Sequence, residues 1–248
     1  MRPDTVPRTL RWLQSMADHV PSQCSVCHSW PSQRICNACV ARFAQPEPRC
    51  KRCALKVPAG VEICGACIVN PPLFDTCLAA VDYAFPWAST ITDFKFRADL
   101  GLARVLVTLL RSTPWVEPAL ESADRVLPVP LSTQRIRTRG FNQAALLARR
   151  LAGNKADLHT LLRLQHADNA QSLLPRADRL RSLKGAFAIE PSRASGLRGE
   201  HVILIDDVMT TGATAQAATL ALREAGVAQI TVVVLARTEA RGASSRAD

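Results

Sequence analysis

Aromatic side chains are scarce in this chain: 5% of 248 residues, with a single tyrosine. A protein so poor in rings has little on which to stack bases, which tempers any reading built on single-stranded nucleic acid. No apolar run approaches the roughly 20 residues that span a bilayer, so no membrane span is expected. Neither a Gly-Lys-Ser/Thr phosphate loop nor a Gly-x-Gly-x-x-Gly turn occurs, which excludes the Walker and dinucleotide fingerprints. Residues 1–20 carry Arg2, Arg8 and Arg11 but no continuous apolar core and no small-residue cleavage site. A secretory leader is therefore not expected, and a cytoplasmic protein is. Acids are also short, 21 against 31 bases, giving a formal net charge of +10 that favours an anionic partner.

Cysteine, by contrast, is concentrated. Eight of nine fall into four Cys-x-x-Cys pairs: Cys24 and Cys27, Cys36 and Cys39, Cys50 and Cys53, Cys64 and Cys67. Each pair projects two sulfurs from one knuckle, and two knuckles close a tetrahedron, the geometry of structural zinc. Disulfides are the competing reading, set aside because nothing suggests export. A thioredoxin-like role would need only one such pair, placed after a strand. Spacing alone does not decide between sequential and interleaved pairing; sequential pairing, with comfortable loops between knuckles, is preferred. Few large apolar residues separate these cysteines, so the segment is expected to depend on metal, which supplies on the order of 10 kcal/mol in such modules. Cys77, in the apolar context CLAAV, reads as a buried thiol.

Near the other end, residues 202–214 read VILIDDVMTTGAT. A short apolar run closed by turn chemistry is a buried strand, and the Ala-rich stretch that follows is a helix ending at Gly226. Asp206 and Asp207 then stand at the carboxyl end of a strand, where open α/β sheets bind ligands. The amides of residues 211–214 open the helix and form an anion site. Carboxylates for hydroxyls beside a cradle for a phosphate suit a sugar 5-phosphate. An acidic pair also occurs in metal-binding receiver domains, and a Gly-Thr turn serves elsewhere as a plain helix cap.

Between these ends the pattern alternates. Residues 78–83, 125–130, 202–205 and 230–236 suit strands; residues 91–110 suit one helix or two, and 143–151 a helix capped by Asn142. This predicts a parallel sheet flanked by helices. The expected organisation is an N-terminal helix and double zinc module over residues 1–70, a linker at Asn70-Pro71-Pro72, an α/β domain over 73–240 and a disordered tail over 241–248. Residues 135–184 hold eleven bases against Asp157, Asp168 and Asp178. Arg135, Arg137 and Arg139 follow a strand end, in what reads as a loop that suits pyrophosphate, for which Arg offers forked donors, or a nucleic-acid backbone. A solvated basic face is the plainer reading for any one of them. Lys95 and Arg97 are weaker candidates, facing the cleft while Phe94 and Phe96 bury. No residue stands out as a general base.

The acidic stretch closely resembles the ribose-phosphate loop of type I phosphoribosyltransferases, which bind phosphoribosyl pyrophosphate. With FKFRADLGLA (94–103), LPVPLSTQRIRTRGFNQAALLA (127–148), QSLLPRADRLRSLKGAF (171–187) and the cysteine pairs, the chain resembles the ComF family, related to competence and DNA uptake. Ser182 departs from the family's usual Asn. The resemblance implies a type I phosphoribosyltransferase-like fold with a small zinc-ribbon module. It places the ribose hydroxyls on Asp206 and Asp207 and the 5-phosphate on Thr210, Thr211, Gly212, Ala213 and Thr214. Arg135 and Arg139 would face a departing diphosphate neutralised by Mg2+. The partners implied are phosphoribosyl pyrophosphate or a nucleotide, with single-stranded DNA and the DNA-uptake machinery beyond; whether the chain is a transferase or a non-catalytic DNA-binding protein stays open.

Overall fold

The computed structural model describes residues 22–97, 101–164 and 185–239. The expected N-terminal helix, most of the QSLLPRADRLRSLKGAF stretch with Ser182, and the tail lie outside these residues.

Four parallel strands form the central sheet in the order β1-β6-β5-β2. They are β1 (Thr76–Asp82), β2 (Arg125–Pro128), β5 (His201–Met209) and β6 (Gln229–Arg237). β5 and β6 are apolar almost throughout, as strands covered on both faces must be. Val126, Ile203, Ile205, Val233 and Leu235 pack against the helices Trp87–Phe96, Leu102–Arg111, Val116–Ser122 and Gln143–Ala152. Leu127, Leu204, Val232 and Val234 pack on the opposite face with the helix Ala213–Glu224. A short antiparallel ribbon, β3 (Leu161–Arg163) with β4 (Phe187–Ile189), lies against that helix.

The expected parallel sheet with flanking helices is what the chain adopts, with Asn142 capping its helix by accepting from Ala144 N and Ala145 N. Two local expectations fail. Residues 133–139, read as a loop, form a helix, Thr133–Arg139, capped by Ser132, whose hydroxyl accepts from Arg135 N, and closed by Gly140 at φ +78°. The Ser cap and Gly stop were both present in the sequence, but the alternating arginines hid them. Phe96, expected to bury with Phe94, is 60% exposed. The segment is helical, as expected, and on a helix residues two apart do not share a face, so Phe94 and Phe96 could not bury together.

The cysteine-rich segment sits on β1, an edge strand of the sheet. Lys51 O accepts from Cys77 N of β1, while Arg49 and Lys56 both pair with Asp82 at its end. Closer to the chain start, Phe43 O accepts from the indole of the buried Trp87 at 2.7 Å. The edge that would otherwise offer unpaired peptide groups is thus partly covered.

Candidate functional site

β5 outruns its neighbour β2. The two pair only as far as Ile205 with Pro128, whereas β5 continues beside β6 to Met209. Beyond Ile205 one flank of β5 therefore opens, and Asp206 and Asp207 stand at that opening.

Because both residues lie within the strand, consecutive side chains point to opposite faces. Asp206 lies on the face of Leu204 and lines a cleft with Thr210, Gly212, Ala213 and Thr214. Asp207, only 8% exposed, lies on the other face and accepts a salt bridge from Lys95 Nζ at 2.9 Å. The sequence reading, which placed the pair at the strand's end, treated the two carboxylates as one unit. Strand alternation divides them instead. Asp206 Oδ1 accepts from Asp207 N at 2.8 Å. Burial, then the neighbouring Asp207 charge, pushes the Asp206 carboxyl up to about 7, while Lys95 and Arg135 pull the other way.

The turn after β5 stays open to solvent, with Thr210 and Thr211 exposed and Gly212 and Thr214 partly so. Gly212 sits at φ +79°, a left-handed conformation that a side chain would strain, and the helix starts at the next residue. Thr211 Oγ1 accepts from Ala213 N at 3.3 Å. The cradle is thus the exposed start of a 12-residue helix, whose amides and dipole favour an anion.

The helix Thr133–Arg139 sorts the arginines. Arg135 and Arg139, four apart, share one side; Arg137 points elsewhere. Arg139 Nη1 donates to Gln143 Oε1 at 3.2 Å, and Gln143 Nε2 donates to Lys95 O at 3.3 Å. The Arg139 guanidinium stands 4.8 Å from the Phe96 ring centre. Burial and the Arg135 charge lower the Arg139 pKa, while the Asp207 and Asp206 charges pull the other way. Asp206, Asp207, Arg135, Arg139 and the 210–214 cradle therefore share one end of the sheet, joined by Lys95, whereas Arg137 and Arg97 do not take part. Arg97 pairs with Asp93 on its own helix. Gln143 escaped the sequence reading, having no signal beyond its place after a cap. The two aromatics near the basic block are not free for bases: Phe187 is buried, and Phe141 packs edge-on to the buried Phe94.

Eight thiols form two tetrads, Cys24/27/36/39 and Cys50/53/64/67, each with all sulfurs within 4.8 Å of one another. This is the sequential pairing. Sulfurs 3.6 Å apart (Cys27 to Cys36, Cys53 to Cys64) and 3.9 Å apart (Cys24 to Cys39) match the edges of a tetrahedron with bonds of about 2.3 Å. Knuckle amides point at sulfur, Cys36 N to Cys24 Sγ and Cys64 N to Cys50 Sγ, both 3.3 Å. None of the cysteines is in a disulfide, so the donor set fits a four-coordinate metal. Cys77 is buried, and burial pushes its thiol pKa up.

Among the described residues no helix is long and apolar enough to cross a membrane. Residues 136–248 match the family model described as a phosphoribosyl transferase domain. The chain is 33% identical over 234 residues to a Salmonella typhimurium protein named DNA utilization protein YhgH, covering 88% of this chain and 98% of that one. It is 31% identical over 209 residues to Competence protein F of Haemophilus influenzae, covering 82% and 90%. It is 30% identical over 209 residues to Competence protein ComFC of Bacillus subtilis, covering 80% and 81%.

Proposed function

Since the chain belongs to the ComF family of competence proteins and carries its phosphoribosyltransferase domain, we propose that it binds phosphoribosyl pyrophosphate or a nucleotide 5-phosphate at the open end of β5. The observation that carries this reading is one cleft shared by the Asp206 carboxylate and the exposed 210–214 cradle. The cradle amides hold the 5-phosphate, and Asp206 accepts from ribose hydroxyls. Asp207 joins it once Lys95 turns from that carboxylate to the incoming anion, an exchange of one ion pair for another. Arg135 and Arg139 hold the diphosphate in the manner of a forked clamp.

If the chain is a transferase, displacement at the anomeric carbon expels pyrophosphate, and the acidic pair stabilises positive charge developing on the sugar. Mg2+, when bound with the ligand, neutralises the diphosphate; two carboxylates plus ligand oxygens suit so hard a cation. The tetrads are proposed to hold one structural zinc each, which suits a reducing, cytoplasmic setting. A link to DNA uptake or use follows from the names of the relatives; direct single-stranded DNA binding is the weaker reading, since Phe187 and Phe141 are packed away.

Calorimetry with phosphoribosyl pyrophosphate and Mg2+ tests this reading. Binding is expected, with affinity rising as pH passes through about 7, where Asp206 gives up its proton and becomes a pure acceptor. Arg135→Ala with Arg139→Ala should weaken phosphoribosyl pyrophosphate far more than ribose 5-phosphate, which lacks the diphosphate. Absence of binding across the pH range rejects the proposal. Pyrophosphate release with a panel of bases then separates a transferase from a binding protein.

A further inference from the structure

A buried arginine stands outside the roles described so far. Arg237 ends β6, after six apolar residues and one threonine, and is 6% exposed. Among the described residues no carboxylate pairs with it. Its guanidinium is instead spent on backbone carbonyls from two distant parts of the chain. Nε donates to Cys53 O, inside the second tetrad, at 2.9 Å. Nη1 donates to Met209 O at 2.9 Å, to Thr210 O, and to Thr238 O at 2.9 Å. Met209 O also accepts from Thr238 N at 3.1 Å. Met209 and Thr210 begin the anion-binding turn, so one side chain bridges a metal-type knuckle and the candidate ligand loop.

Two physical points make the bridge consequential. A buried guanidinium without a carboxylate is costly unless its donors are filled and opposing charge lies near. A divalent ion held by four thiolates carries net negative charge, so a filled second tetrad supplies that opposing charge. Conversely, the carbonyl of Cys53 stays in place only while its knuckle is closed. Cys53 lies 3.6 Å from Cys64, sulfur to sulfur, across the tetrad. The first tetrad packs against Trp87 instead, through Phe43.

We propose that Arg237 is a positioning residue that transmits closure of the Cys50/53/64/67 tetrad to the turn at residues 209–212. Its consequence for ligand affinity rests on the reading given under Proposed function; the coupling of tetrad to turn does not. The turn is ordered for an anion while the tetrad is closed and loosens when it opens.

Hydrogen exchange on the full chain tests this without a ligand. The amides of Gln216 and Thr238, which donate to Gly212 O and Met209 O of the turn, are compared in the zinc-loaded protein and in Cys64→Ser, Cys27→Ser and Arg237→Lys variants. Cys64→Ser should speed their exchange by about tenfold while the β5 amides 202–205 keep their protection. Cys27→Ser, in the first tetrad, should leave the Gln216 and Thr238 amides unchanged. Arg237→Lys should retain both zinc ions yet show the same acceleration, and Cys64→Ser added to it should bring no further change, the mark of one shared pathway. Unchanged turn exchange in zinc-loaded Arg237→Lys overturns the proposal, even if Cys64→Ser fails to fold. Effects of the two variants that multiply overturn it as well. In calorimetry, Arg237→Lys should weaken phosphoribosyl pyrophosphate about tenfold, the same local opening being read through the ligand. If the parent protein binds no such ligand, the functional reading fails, and the exchange data still judge the coupling.

Discussion

Asp206→Asn is expected to melt at a higher temperature than the parent protein at pH 8, and to lose affinity for phosphoribosyl pyrophosphate. Burial and the Asp207 charge raise the Asp206 carboxyl to about 7. An unfolded aspartate titrates near 4, so the folded value lies above the unfolded one. Below about 4 the carboxyl is protonated in both states and costs nothing. As pH climbs toward 7 the unfolded chain ionises freely while the fold resists, and stability is lost through that interval. Asparagine removes the penalty, which we put at about 2 kcal/mol after allowing for partial exposure. For a chain of this length that is about 5 °C in melting temperature at pH 8, and little at pH 4. Asp207→Asn should do the opposite. It leaves Lys95, whose side chain is 13% exposed, without its partner, a loss of about 3–5 kcal/mol. Thermal melts of both variants at the two pH values decide the matter. Equal melting of Asp206→Asn and parent at pH 8 would show that the carboxylate is not strained.

Metal removal carries the other large effect. Elemental analysis of the purified protein should find two zinc ions per chain, one for each tetrad. Stripping them with a strong chelator should unfold the cysteine-rich segment, since each site contributes on the order of 10 kcal/mol of folding free energy. The damage should spread beyond that segment. Lys51 O would leave Cys77 N, and Asp82 would lose Arg49 and Lys56, baring the outer edge of β1. Concentration-dependent aggregation, followed by light scattering after chelation, is the expected readout. A chelated protein that remains monomeric with an unchanged melting curve, or fewer than one zinc per chain at the outset, would remove the metal assignment.

Much of the frame could be read before any coordinates, because strong local signals agreed with the tertiary outcome. Apolar runs at 202–205 and 230–236 became central strands, and Asn142 capped its helix. The four cysteine pairs closed in the order that their spacing favoured. What escaped the reading shares one cause: it depends on which way a side chain points. Adjacent carboxylates look like a unit in a string of letters, but a strand sends Asp206 and Asp207 to different faces. Arg135, Arg137 and Arg139 look like an alternating row, but a helix gathers the first and third and turns the second away. Arg237 offered only the oddity of a charge closing an apolar run. Its partners, Cys53 and Met209, lie 184 and 28 residues away, and no local pattern announces such a meeting.

The indole of Trp87 gives the molecule an optical label of its own making. That ring is 2% exposed and hydrogen-bonded to Phe43, whereas Trp30 and Trp115 are 67% and 73% exposed. Emission from the sheltered indole should lie to the blue of that from Trp30 and Trp115, and a red shift of that component would report the moment the helix carrying Cys39 lifts from the sheet-bearing body.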